Sequence, residues 1–165
     1  MLKKKWILAM AAFAVLMLIL PAGHAARPTK SPPRKDTGTL TVECVGSLAH
    51  EFFVTVSPTV LWPPNHAVVP VTITLNATTD TEGNTINLTV NSIASSQGSA
   101  SAGVGSSASA TEGTPAVVVV HLTAERTGKD KNGNIYTIHV TCTEPAEAET
   151  GTATLTVVVP HDQGH

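Results

Sequence analysis

Residues 61–76 read LWPPNHAVVPVTITLN, a proline-stiffened corner that runs straight into an alternating segment. Val69, Val71, Ile73 and Leu75 alternate with Pro70, Thr72, Thr74 and Asn76, so an extended chain here carries one apolar and one polar face. Pro63 and Pro64 each fix φ and remove an amide donor, and they push Trp62 into an extended conformation. A strand therefore cannot continue through them inside a sheet, and Asn65 suits the turn that opens a strand over 67–76. Two readings of the corner are open. Either Trp62 plugs one end of the fold while the prolines carry the chain between sheets, or Trp62, Asn65 and His66 form a binding surface.

The same period of two extends outward in both directions. Ile86, Leu88 and Val90 alternate with Asn87, Thr89 and Asn91. Val118 to Ala124, Tyr136 to Cys142 and Ala153 to Val159 keep the pattern. With TLTVECV (39–45) and FFVTVSPTVL (52–61) the count reaches seven strands, rich in the β-branched residues that suit a pleated surface. No stretch after the first 25 residues shows helical periodicity of useful length. TTDTEGN (78–84) and GKDKNGN (128–134) supply the Gly, Asn and Asp of tight turns. The Ser/Ala/Gly stretch 95–113 has too little apolar content to offset its ordering entropy and reads as a mobile loop. Seven antiparallel strands with one apolar face each are satisfied by packing two sheets face to face, which makes the expected fold all-β.

LWPPNH, the alternating strand after it, AERTG (124–128), IYTIHVTC (135–142) and VVVPHDQ (157–163) together resemble a recurring module of bacterial secreted proteins. That module is an immunoglobulin-like sandwich related to the hyalin-repeat and polycystic-kidney-disease types. The resemblance covers residues 55–163 and implies a seven-stranded, Greek-key sandwich with a non-enzymatic role as a spacer, adhesive unit or interaction domain. TEPAEAETG (143–151) stands where the family tends to have D-x-x-G-N, and the long loop lacks the family's acidic residues. Both departures remove oxygens that could bind calcium, so the resemblance carries no calcium role over.

Location follows from the first residues and the cysteines. Lys3, Lys4 and Lys5 precede an apolar run from Trp6 to Leu20, then Pro21 and small residues, the order of an export signal cleaved after Ala25. The run is shorter than the roughly 20 residues that span a bilayer, although a retained anchor is the alternative. Residues 26–38 form a basic, Pro-rich linker, which could also tether the chain to an anionic surface. The domain proper occupies 39–163. Residues 36–165 carry only Arg126, Lys129 and Lys131 against all 12 acids, a net charge of −9 that would repel nucleic acid. Cys44 and Cys142 are an even count in an exported chain, which favours a disulfide over two separate thiols. Closing so long a loop contributes on the order of 4–5 kcal/mol in the chain-entropy model.

Candidate chemistry is sparse. Asp130, Asn132 and Asn134 imitate the first three ligands of a calcium loop, but Ile135 and Thr141 stand where Gly and Glu are needed. A hairpin on Asn132-Gly133 explains the same residues without metal. Asp80, Glu82 and Asn84 form a second oxygen-rich turn. His121 and His139 fall on the polar faces of their strands. A hairpin centred near Asp130 would pair them within reach of one ion, with His50, His66, His161 or His165 to complete the set, whereas a turn on Asn132-Gly133 would separate them. Glu144, Glu147 and Glu149 read as a solvated acidic turn. No nucleophile elbow, zinc-protease motif or phosphate loop is present. The expectation is an exported, non-enzymatic structural or adhesion-type module of the cell surface, extracellular space or periplasm, without a cofactor, calcium being the minor alternative, acting on a protein or surface polymer. The alternative is a carbohydrate-binding module that uses Trp62.

Overall fold

The computed structural model describes residues 38–46, 51–76, 83–111 and 113–161. The export signal, the basic linker up to residue 37, His50, Asp80, Glu82 and residues 162–165 lie outside the described residues.

Ten strands form among the described residues, in chain order β1 (Leu40–Glu43), β2 (Val45–Gly46), β3 (Phe53–Ser57), β4 (Val68–Asn76), β5 (Ile86–Ser95), β6 (Ser101–Ala102), β7 (Ser107–Ala110), β8 (Ala116–Thr123), β9 (Asn134–Glu144) and β10 (Glu149–Val159). They build two five-stranded antiparallel sheets, in the orders β1-β3-β4-β8-β6 and β2-β10-β9-β5-β7. Seven of the strands fall on the seven expected segments, and β2, β6 and β7 are additional. β6 and β7 lie within the Ser/Ala/Gly stretch expected to be a loop. There Ala108 and Ala110 alternate with Ser107 and Ser109, and Ala110 is fully buried, so small side chains supply an inward face that hydrophobicity alone does not reveal.

Burial alternates along each long strand, as B-e-B-e in β8 and β10. Pairing keeps the inward residues level: Val71 lies opposite Val120 and Ile73 opposite Val118 in the first sheet, Val140 opposite Ala153 and Ile138 opposite Leu155 in the second. The inward faces meet in one apolar core in which Phe52, Ile73, Leu75, Leu88, Ile138 and Leu155 are fully buried. This is the sandwich arrangement, in which neither sheet could hide its apolar face alone. β5 carries one irregularity. Val90 pairs with Val140 and Ser92 with His139, so Asn91 is an extra residue, and beyond it Ile93 rather than Ser92 turns inward.

The two sheets are also joined covalently. Between β1 of one sheet and β2 of the other, Cys44 is buried and bonded to Cys142 of β9, with 6.4 Å between their Cα atoms. Its backbone N–H donates to the Phe52 carbonyl at 2.8 Å, which fixes the step between sheets. At Gly46 an added Cβ would fall 2.2 Å from the Thr150 carbonyl oxygen, so β2 can approach β10 only as glycine. Replacing both cysteines by alanine is expected to cost about 2–5 kcal/mol, measured as the shift in the urea midpoint against the oxidised protein.

Candidate functional site

The chain changes sheets at the LWPPNH corner. After β3, Val158 N–H donates to the Thr59 carbonyl and Leu61 N–H to the Val158 carbonyl, both at 2.8 Å, so residues 59–61 run parallel to β10 of the other sheet. A cis Trp62–Pro63 bond then reverses the path towards β4. Asn65 closes the turn, its N–H on the Pro63 carbonyl and its Oδ1 accepting from Ala67 N–H. His66 stands at positive φ, anchored by its N–H on the Ala124 carbonyl. The residue that plugs this end is Leu61, 1% exposed. Trp62 is only half-buried, while Asn65 and His66 are exposed.

Beneath the exposed His66 lies a set of buried polar groups. Its imidazole Nδ1 is 3.1 Å from Glu125 Oε2. A hydrogen bond from Ser99, then the one with His66, holds the Glu125 carboxyl below its usual range. Asn134, fully buried at the start of β9, uses its whole amide. Oδ1 accepts from the Ser95 and Ser96 hydroxyls at 2.8 and 3.2 Å, and Nδ2 donates to Ser99 Oγ and the Glu125 carbonyl at 2.8 and 3.2 Å. Two positions on, the Tyr136 hydroxyl donates to the Thr123 carbonyl at 2.8 Å, and burial pushes its pKa up. Sequence reading placed Asn134 in an imitation calcium loop rather than in the core, and did not single out Glu125. Asn134 stands in phase with Tyr136 and Ile138, and that phase was the available signal.

The outer faces of the two sheets differ in chemistry. On the second sheet Thr141, His139 and Thr137 of β9 lie opposite Thr152, Thr154 and Thr156 of β10, and His139 Nδ1 is 3.1 Å from Thr154 Oγ1. On the first, Val117 and Val119 of β8 point outward at 48% and 43% exposure, beside Thr74 and Thr72 of β4. At the end of that face a groove of about 150 Å³ is lined by Val68, Ala100, Ser101, Ala102, His121 and Thr123. Neither hairpin register considered for His121 and His139 forms: β8 pairs with β4 and β6, β9 with β5 and β10, so the histidines lie in different sheets. The segment 124–133 crosses between sheets rather than forming a hairpin.

Asp130 and Asn132 serve the turn within that crossing. Asp130 Oδ1 accepts from Asn132 N–H at 2.9 Å. Gln97 bridges from the neighbouring turn, with Nε2 2.8 Å from the Gly133 carbonyl and Oε1 2.6 Å from Thr127 N–H. Gly133 is obligatory, since it combines a φ of 76° with a Cβ position 2.3 Å from the Val159 carbonyl oxygen. At the opposite end of β9 the expected solvated acidic turn is corrected for one member. Glu144 is fully buried, because it continues the inward phase of Val140 and Cys142. Glu147 is exposed and Glu149 half-buried.

Compared with known proteins, the chain matches no family model, no curated protein and no solved structure. Asn134→Ala is expected to cost about 1–3 kcal/mol, read by urea denaturation, because it strands several buried polar partners at once. Glu125 titrates lower in the folded than in the unfolded chain. Its contribution is therefore complete above its ordinary value of 4.5 and lost as pH falls through the folded value. The Tm advantage of the wild type over Glu125→Gln should be flat above that pH and shrink below it.

Proposed function

We propose that the chain is an exported, non-enzymatic interaction module of the cell surface or extracellular space, built as an immunoglobulin-like Greek-key sandwich. Several features support the topology. β4 and β8 are neighbours in one sheet and β5 and β9 in the other, although each pair is separated by intervening strands. Residues 59–61 run parallel to the last strand. The Tyr136 hydroxyl, near the start of β9, ties back to the Thr123 carbonyl thirteen residues upstream, across the passage between the sheets. The buried Cys44–Cys142 bond supports an oxidising compartment. No helix among the described residues is long and apolar enough to cross a membrane.

The observation that carries the interaction reading is the outward apolar face of β8. A solvated sheet face normally alternates apolar-in with polar-out, as Thr137, His139 and Thr141 of β9 do with Thr156, Thr154 and Thr152 of β10. Val117 and Val119 break that rule next to the groove at Val68 and His121. Exposed apolar area of this kind, framed by Thr72 and Thr74, is favoured by a partner that covers it. A second reading, carbohydrate binding at the corner, draws on the partial exposure of Trp62 next to Asn65 and His66.

Binding of the oxidised protein to surface proteins and to cell-wall polysaccharides, compared across Val119→Lys and Trp62→Ala, separates the two. The interaction reading expects protein binding that Val119→Lys weakens by about tenfold or more, the loss typical of a central interface residue. Polysaccharide binding that survives Val119→Lys and disappears with Trp62→Ala would replace it with the carbohydrate reading.

A further inference from the structure

We propose that the β9–β10 turn is a calcium site formed by Glu144, Glu147 and Glu149. Glu144 is the last residue of β9 and Glu149 the first of β10, and the two are direct cross-strand partners. Residues 145–148 join them in a tight turn, with Glu147 N–H on the Glu144 carbonyl at 3.3 Å and Ala148 at positive φ. The turn folds Glu147 back over the pair, so that one carboxylate oxygen from each of the three lies within 4.8 Å of the others. Like charges placed directly opposite on neighbouring strands destabilise a sheet.

Glu144 supplies the observation that points to a ligand. Its side chain is completely buried, Oε1 accepts from Asn84 Nδ2 at 2.8 Å, and Oε2 has no hydrogen-bond partner. A buried carboxylate oxygen without a partner is costly, and a bound cation is one group that would offset that cost. The basic side chains among the described residues, Arg126, Lys129 and Lys131, precede the other end of β9. Eleven residues of extended chain put them on the order of 30 Å from Glu144. A cation held by the three carboxylates would give Glu144 Oε2 the partner it lacks within the protein.

The donor set selects the ion. All three donors are hard carboxylate oxygens, with no imidazole or thiolate among them, which disfavours zinc and copper. Calcium binds oxygens at about 2.4 Å, so ligands on opposite sides of the ion are up to about 4.8 Å apart. Magnesium needs about 2.1 Å and near-octahedral geometry, a tighter cluster than this one requires. Because Glu147 is exposed and Glu149 half-buried, water can complete the shell. An open site of this kind belongs to the weak class of extracellular modules, with a Kd of about 10⁻⁴–10⁻³ M.

Calcium is titrated into the oxidised full-length protein in chelator-treated buffer, followed by calorimetry and by Tm, with sodium and magnesium chloride at matched ionic strength as controls. The expected result is saturable calcium binding by calorimetry, with a Tm that keeps rising with the logarithm of calcium concentration above Kd, and a much weaker response to magnesium. Glu147→Gln, on the exposed turn where folding is not at stake, should weaken calcium binding by about tenfold. Glu144→Gln keeps the shape of the side chain and should abolish it. The proposal fails if calorimetry detects no saturable calcium binding, if magnesium matches calcium, or if Glu147→Gln binds as tightly as the wild type.

Discussion

An apolar stripe on one face of a strand can leave water only against a second sheet, and this requirement governs the rest of the molecule. Each long strand carries such a stripe, so the two sheets depend on each other for stability. The places where the chain passes between them become the critical points of the fold. Cys44 marks one of these passages, where β1 gives way to β2 and the disulfide closes onto β9. The cis-proline corner marks another, after residues 59–61 have paired with β10.

The two ends of β9 deal with buried polarity in opposite ways. At its start, Asn134 has every donor and acceptor engaged by serines from the neighbouring turn and by the Glu125 carbonyl. A fully satisfied amide of this kind specifies one arrangement of its loops, and it positions Glu125 under the exposed His66. At the other end, Glu144 shares the depth of Asn134 but satisfies only one carboxylate oxygen within the protein. One end is finished by hydrogen bonds, while the other has chemistry left over.

Much of this architecture was legible in the alternation of residues, which states the face of each side chain directly. The strand at 69–75 and the inward rows of β8, β9 and β10 were read correctly on that basis. Alternation does not state which strand is the neighbour, however. Hairpin turn chemistry at Asp130–Gly133 suggested that β8 and β9 pair, yet the segment crosses between sheets and separates His121 from His139. β7 escaped notice because Ala108 and Ala110 keep the period with side chains too small to stand out. The burial of Asn134 and Glu144 escaped for a different reason: each sits in phase with Tyr136, Ile138, Val140 and Cys142, but polar identity outweighed position. Val117 and Val119 were visible as part of an all-valine run, in which the outward members look the same as the inward ones.

The Cys44–Cys142 bond also decides how the protein would behave under load. If the chain is pulled from Gly38 and His161, tension reaching Cys44 passes directly across the sulfur bridge to β9 and bypasses the 97 residues between the cysteines. Only the six residues before Cys44 and the nineteen after Cys142 can extend, the latter by peeling β10 away from β9. β3, β4, β5 and β8 are shielded from the force altogether. Mechanically the oxidised molecule is a short, stiff link with a small reserve of slack, and reduction would turn it into a long, extensible one.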